Sequence, residues 1–151
     1  MKKLFYILLA LLPLLTSCHL ETSDNGDLDG FWHLVSVDTL ANSKQTDLSQ
    51  QRIFWAFQKD LMQLRGGDRK EEGGEGRECY ERFHIQQQVM TLYDPHEKDR
   101  EIGDPVIGED RLHLLRPYGI NALMETFDIL RLTKDDMELR SSTLQLRFKK
   151  Q

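Results

Sequence analysis

Near its C-terminus the chain alternates strictly: Leu144, Leu146 and Phe148 are separated by Gln145, Arg147 and Lys149. A period of two sends successive side chains to opposite faces, so this segment must be a strand with one buried and one wetted face. Just upstream, Met137 and Leu139 alternate with Glu138 and Arg140, and Ser141-Ser142 supplies a tight turn. Before that, Thr126 to Thr133 (TFDILRLT) is strand-like, with Lys134-Asp135 turning the chain into the next strand. Three hairpin-linked strands make a meander.

The same pattern runs through the rest of the chain. Phe31 to Val37 and Arg52 to Gln58 are rich in the aromatic and branched residues that suit a pleated surface, and Lys59-Asp60 turns into Leu61 to Leu64. Cys79 to Ile85 and Val89 to Tyr93 form another pair, and Arg111 to Leu115 reads as a further strand. Eight or nine strands at this spacing predict an all-β fold, a closed antiparallel barrel, with a β-sandwich as the alternative. Closure removes exposed strand edges. One segment departs: after Pro117-Tyr118-Gly119, the residues Ile120, Leu123, Met124 and Phe127 fall at helical spacing, predicting one short helical segment that plugs an end of the barrel. Gly66 to Glu78 (GGDRKEEGGEGRE), with five glycines and no large apolar residue, reads as a loop, as does the charged stretch Tyr93 to Asp104.

The N-terminus fixes an expected compartment. Lys2 and Lys3 precede an apolar run from Leu4 to Leu15, broken only by Pro13. That is well short of the roughly 20 apolar residues needed to span a bilayer. A positive start and a short apolar core are the marks of an export signal. Leu15-Thr16-Ser17-Cys18 resembles the lipobox of bacterial lipoproteins. The resemblance implies that the Cys18 thiol is diacylglycerylated, the chain cut before it and the new amino group acylated; several acyl chains together anchor stably where one does not. The expected layout is a lipoprotein signal at residues 1–17, a lipidated tether at 18–29 and one domain at 30–151. The tether, His19 to Asp29, is polar and turn-rich. The expected location is the cell envelope, held by lipid in the outer membrane, on its periplasmic side or at the cell surface; Glu21 and Asp24 are compatible with surface display.

A net charge of −5, which becomes more acidic once the signal's two lysines are removed, argues against nucleic acid, whose binders need basic stripes to displace counterions. It equally disfavours docking on anionic headgroups, so the expected membrane link is covalent. With Cys18 lipidated, Cys79 is left without a disulfide partner, and the core must hold the fold.

Gly30-Phe31-Trp32 opens the first strand. A Gly-x-Trp at the head of an eight-stranded meander resembles the lipocalin and wider calycin group. There the glycine permits a tight entry and the tryptophan closes the base of the barrel. The lipobox, short tether, "LDGFWHLVSVD" and closing "ETFDILRLTKDDMELRSSTLQLRFKK" together resemble the small lipocalin-like lipoproteins of gut-type Gram-negative bacteria. Two lipocalin features are missing, a Thr-Asp-Tyr triplet in a later loop and a long helix after the eighth strand. The resemblance also implies a basic side chain packed over Trp32; Arg147 is the candidate, on a strand whose alternation points it outward.

Nothing in the chain assembles a reaction. Cys79 and His84 are an odd number of residues apart in one strand and so lie on opposite faces; Cys79 shares its face with Glu81, Phe83 and Ile85 and reads as apolar filler. The histidines, His19, His33, His84, His96 and His113, show no ligand spacing, although His33 and His113 sit in predicted strands that can meet across a barrel. Asp94, Glu97 and Asp99 lack a glycine-centred calcium loop. Glu71-Glu72, Glu109-Asp110 and Asp135-Asp136 lie in predicted turns, where water keeps both partners ionised. The chain is therefore expected to be no enzyme and to need no cofactor or metal. What remains is the interior: Trp32, Leu34, Trp55, Phe57, Phe83 and Ile85 are expected to point inward, either filling the barrel or walling a pocket for a small hydrophobic molecule. With a filled barrel, the alternative role is an interaction module or scaffold whose charged loops contact another envelope protein.

Overall fold

The computed structural model describes residues 23–66 and 78–151. The export signal, the lipobox with Cys18, the start of the tether and most of the glycine-rich loop, with Glu71-Glu72, lie outside the described residues.

Nine strands form one antiparallel sheet: β1 (Gly30–Thr39), β2 (Lys44–Asp47), β3 (Ile53–Gln58), β4 (Leu61–Gly66), β5 (Cys79–Gln86), β6 (Val89–Glu97), β7 (Glu125–Leu132), β8 (Asp136–Arg140) and β9 (Leu144–Lys150). β9 pairs with β1 from Trp32↔Lys150 to Thr39↔Leu144, which closes the sheet. On the other edge of β1, β3 pairs with Gly30 to His33 and β2 with Ser36 to Thr39, so these two strands share one position. The result is a closed eight-position barrel with no sandwich split. Hairpin geometry follows the residues at the turns: Gln87 and Gln88 both have positive φ, the two-residue turn whose twist matches that of the strands.

The alternation sorts as expected. Met62 and Leu64, Met90 and Leu92, Met137 and Leu139, and Leu146 and Phe148 are all buried, while their sequence neighbours face out. A bulge between Leu34 and Ser36 lets β1 shift register against β9 and brings Val37 opposite Leu146.

Four segments differ from expectation. Arg111 to Leu115 is no strand: Glu109–Leu114 and Arg116–Tyr118 are 3-10 turns. Their buried residues Leu112, Leu115 and Tyr118 recur every third position, the period of a 3-10 helix. The helical spacing from Ile120 to Phe127 does not form a helix; Phe127 belongs to β7, where it shares the inner face with Glu125 and alternates with Thr126 and Asp128. Tyr93 to Glu97, read as loop, continues β6. Ser23 to Asp29, read as tether, is packed on the barrel: Asn25 Nδ2 donates to the Lys59 carbonyl at 2.6 Å, and Leu28, in the 3-10 turn Gly26–Leu28, is buried.

Candidate functional site

The interior has two ends and a middle. At the end where β1 begins, Trp32 is fully buried and its Nε1–H donates to the Leu28 carbonyl at 2.7 Å. Lys150, opposite Trp32 in the ladder, carries its ammonium 4.9 Å from the indole centroid and donates to the Asp27 carbonyl at 2.7 Å. The basic residue over the tryptophan is thus Lys150. Arg147 lies on the outer face, paired with Asp38 at 2.8 Å and Glu138 at 3.0 Å.

The middle is aromatic. Trp55 sits 5.0 Å from Phe148, 5.8 Å from Phe127 and 6.2 Å from Phe57, and Phe57 packs edge-on against Phe83 at 5.1 Å. β3 and β7 occupy opposite positions in the ring of eight, so the Trp55–Phe127 contact crosses the barrel. Trp32, Leu34, Trp55, Phe57 and Phe83 therefore lie in the core, as their phase predicts. Ile85 does not: it is 42 % exposed, because β5 outruns the packed interior before reaching its hairpin.

At the other end, where β1 finishes, the wall changes character. β6 and β7 pair only from Val89↔Asp128 to Leu92↔Glu125. Beyond Leu92, β6 runs on to Glu97 without β7 beside it, and the crossover 98–124 covers that side. The cover is stitched to β6 by Ile107 N–H to Pro95 O and by a His96↔Val106 bridge. It reaches the core through Tyr118, whose carbonyl accepts from Trp55 Nε1–H at 3.1 Å and whose hydroxyl donates to Gly66 O at 2.8 Å.

Between the aromatic middle and this cover are carboxyl groups on the inner face. Glu81 stands two residues before Phe83 and Glu125 two before Phe127, both one inward step toward the cover. Glu125 accepts the Asn121 N–H at 2.5 Å, and Glu97, almost fully buried, meets Arg111 at 3.0 Å. Glu81 is 0 % exposed and neither of its carboxyl oxygens has a hydrogen-bond partner. Burial, with the negative charge of Glu125 adding to it, pushes its pKa up to about 8. The sequence held a sign of this: in Cys79-x-Glu81-x-Phe83 the acid shares the inward parity of two core residues.

The other singled-out residues do not converge. Cys79 is in the core while His84 is exposed on the outer face. His33 faces outward and meets the Gln51 carbonyl at 2.6 Å, whereas His113 is exposed on a 3-10 turn. Glu97 points inward while Asp94 lies outside against Arg82 and His96. Among the described residues no group of three or more His, Cys, Asp or Glu could hold a metal ion.

The family model described as a lipocalin-like domain matches residues 13–151. The chain belongs to this lipocalin-like family. A lipocalin-like protein from Bacteroides uniformis superposes with a TM-score of 0.59 at 16 % identity, covering 83 % of this chain and 100 % of that one. An uncharacterized protein from Bacteroides eggerthii superposes with a TM-score of 0.59 at 16 % identity, covering 82 % and 99 %. A search of curated proteins finds no match. In this lipocalin-like chain the barrel is thus family architecture, and its interior is closed by Trp32 and Lys150 at one end and by the partly unzipped wall with its buried acids at the other.

Proposed function

We propose that this lipocalin-like protein is an exported, lipid-anchored and non-enzymatic binding protein of the cell envelope, which holds a small, largely apolar molecule in the covered half of its barrel. The observation that carries this reading is the short β6–β7 ladder. A barrel built only to be a solid scaffold gains by pairing its strands along their full length. Here four paired positions are followed by a wall of irregular chain, whose displacement opens the interior without breaking the sheet. Loops on a rigid sheet are the usual seat of recognition. The lipobox supports the location, with Cys18 as the anchoring residue.

The test uses the mature chain purified from membranes. N-phenyl-1-naphthylamine, an uncharged apolar fluorophore, should show saturable enhancement, and denaturation should release a co-purified apolar compound in stoichiometric amount. Absence of both overturns the ligand-binding reading. Palmitate labelling that persists in Cys18→Ala overturns the anchor. A second reading, an interaction module with a filled barrel, draws on the Trp55–Phe127 contact across the lumen. It requires crosslinking in cells to capture an envelope protein while the fluorophore fails to bind.

A further inference from the structure

We infer that the ligand is a cationic amine with an apolar body, held by Glu81 with Glu125 beside it, and that fatty acids and other anions are rejected. This rests on the ligand-binding reading above and names the chemistry of that site.

Both oxygens of Glu81 lie on the inner face without a hydrogen-bond partner, just past the layer formed by Phe83 and Phe127. A buried polar group left unpaired keeps its full desolvation cost, and each needs an explanation. The described residues around it offer none. On β4, the inward residues beside it are Met62, its ladder partner, and Leu64. On β6 they are Leu92, Pro95 and Glu97, and Glu97 is engaged by Arg111 from the cover. On β7 the facing group is another acid, Glu125, whose Oε2 already accepts the Asn121 N–H.

Among the described residues the inner wall therefore presents three carboxyl groups, of which only Glu97 meets a cation, and no cation directed at Glu81. An ammonium supplies what is missing, namely N–H donors for both Glu81 oxygens and a positive charge that offsets the repulsion from Glu125. A carboxylate ligand would bring its negative charge beside that of Glu125 in the same low-dielectric space. The aromatic rings of Phe83 and Phe127 below the acids suit the ligand's apolar part and tolerate a cation at their faces. Because the empty protein keeps Glu81 protonated near neutral pH, the incoming ammonium binds the carboxylate and the Glu81 proton leaves to solvent.

Two matched sets of probes test this: octylamine, octanol and octanoate, and 2-phenylethylamine, 2-phenylethanol and phenylacetate. They are titrated calorimetrically into the wild-type chain and into Glu81→Gln, which keeps the side-chain volume. Amines should bind at least about tenfold more tightly than the alcohols, a difference equal to one pKa unit of interaction, and carboxylates more weakly still. In two buffers of different ionisation enthalpy near neutral pH, amine binding should release close to one proton. That release should vanish at about pH 9, where Glu81 is already ionised, and in Glu81→Gln. The preference for amines over alcohols should shrink to about twofold or less in Glu81→Gln. Alcohols or carboxylates that bind as tightly as amines, or amine binding without proton release, overturn the amine inference and leave the ligand-binding reading standing. If none of the six binds, both fall together.

Discussion

The two ends of this barrel solve the same problem in opposite ways. At the Trp32 end the two polar groups that close the rim have partners: the indole N–H meets Leu28, and the Lys150 ammonium lies over the ring and reaches the Asp27 carbonyl. At the covered end the sheet comes apart early, the closing chain is made of short 3-10 turns, and Glu81 sits in the core with nothing to bond. The first arrangement is one of satisfied contacts in a fixed geometry. The second keeps an unsatisfied group and a separable wall, features that cost stability and gain nothing unless something else completes them. Stability and binding are thus divided along the barrel axis, with the aromatic layer around Trp55 as the boundary.

The largest expected effect breaks this comparison at Glu81. Its pKa is raised from its ordinary value of 4.5 to about 8, so across that interval the folded protein holds a proton that the unfolded chain has released. The contribution of Glu81 to stability is therefore full below about pH 4.5 and is lost as the pH rises to about 8, by an amount on the order of 5 kcal/mol. The group is fully buried, so solvent screening does not reduce this much. Asp136 works the other way, since the Lys149 ammonium bonded to it holds its pKa below the ordinary value, but its effect belongs to more acid pH. Urea denaturation of the wild type and of Glu81→Gln across pH 5 to about 9 should give a falling line for the first and a nearly level one for the second, with the variant more stable at the alkaline end. Parallel lines would mean that Glu81 finds a partner in solution, and the contrast between the two ends would disappear.

Next in size is Trp32→Ala. A fully buried tryptophan that anchors the Leu28 turn should cost about 3–5 kcal/mol when truncated, and the loss should be the same at every pH in that series. It should also leave amine binding unchanged in whatever fraction remains folded, because the contact lies on the far side of the aromatic layer. A Trp32→Ala protein that folds normally but loses binding would show that the ends are not separate.

How much of this was legible in the sequence depends on what a period of two can carry. Parity assigns faces, and it placed Trp32, Leu34, Trp55, Phe57 and Phe83 correctly. It does not assign height along the barrel, which is why Ile85, in phase with Phe83, ends at the exposed rim. Over six residues, alternation also mimics other periods: Leu112 and Leu114 look strand-like, yet the buried set is Leu112, Leu115 and Tyr118 at intervals of three. The coincidence from Ile120 to Phe127 failed because Phe127 is claimed by the pairing of β7 with Met90 on β6, a contact between distant segments that no local pattern contains. Glu81 was visible as an inward acid, but only the fold shows that, among the described residues, no basic side chain bonds it.

The smallest effect sharpens the comparison at the satisfied end. Lys150 was hidden from sequence reasoning for the same reason: only closure of β9 on β1 sets it opposite Trp32, 118 positions away along the chain by their numbers. Its shared parity with Leu146 and Phe148 puts it on the inner phase, and at the rim its stem can lie over the indole while the ammonium reaches out to Asp27. Lys150→Met keeps the apolar stem and removes the charge, so it should cost about 0.5–1 kcal/mol, the range of a cation–π contact at a partly exposed site. The loss should fade with added salt far less than that of a surface ion pair, since the ring's field acts at contact distance. If Lys150→Met instead costs nothing, Trp32 is held by the Leu28 carbonyl and packing alone, and what distinguishes the two ends reduces to the presence of Glu81.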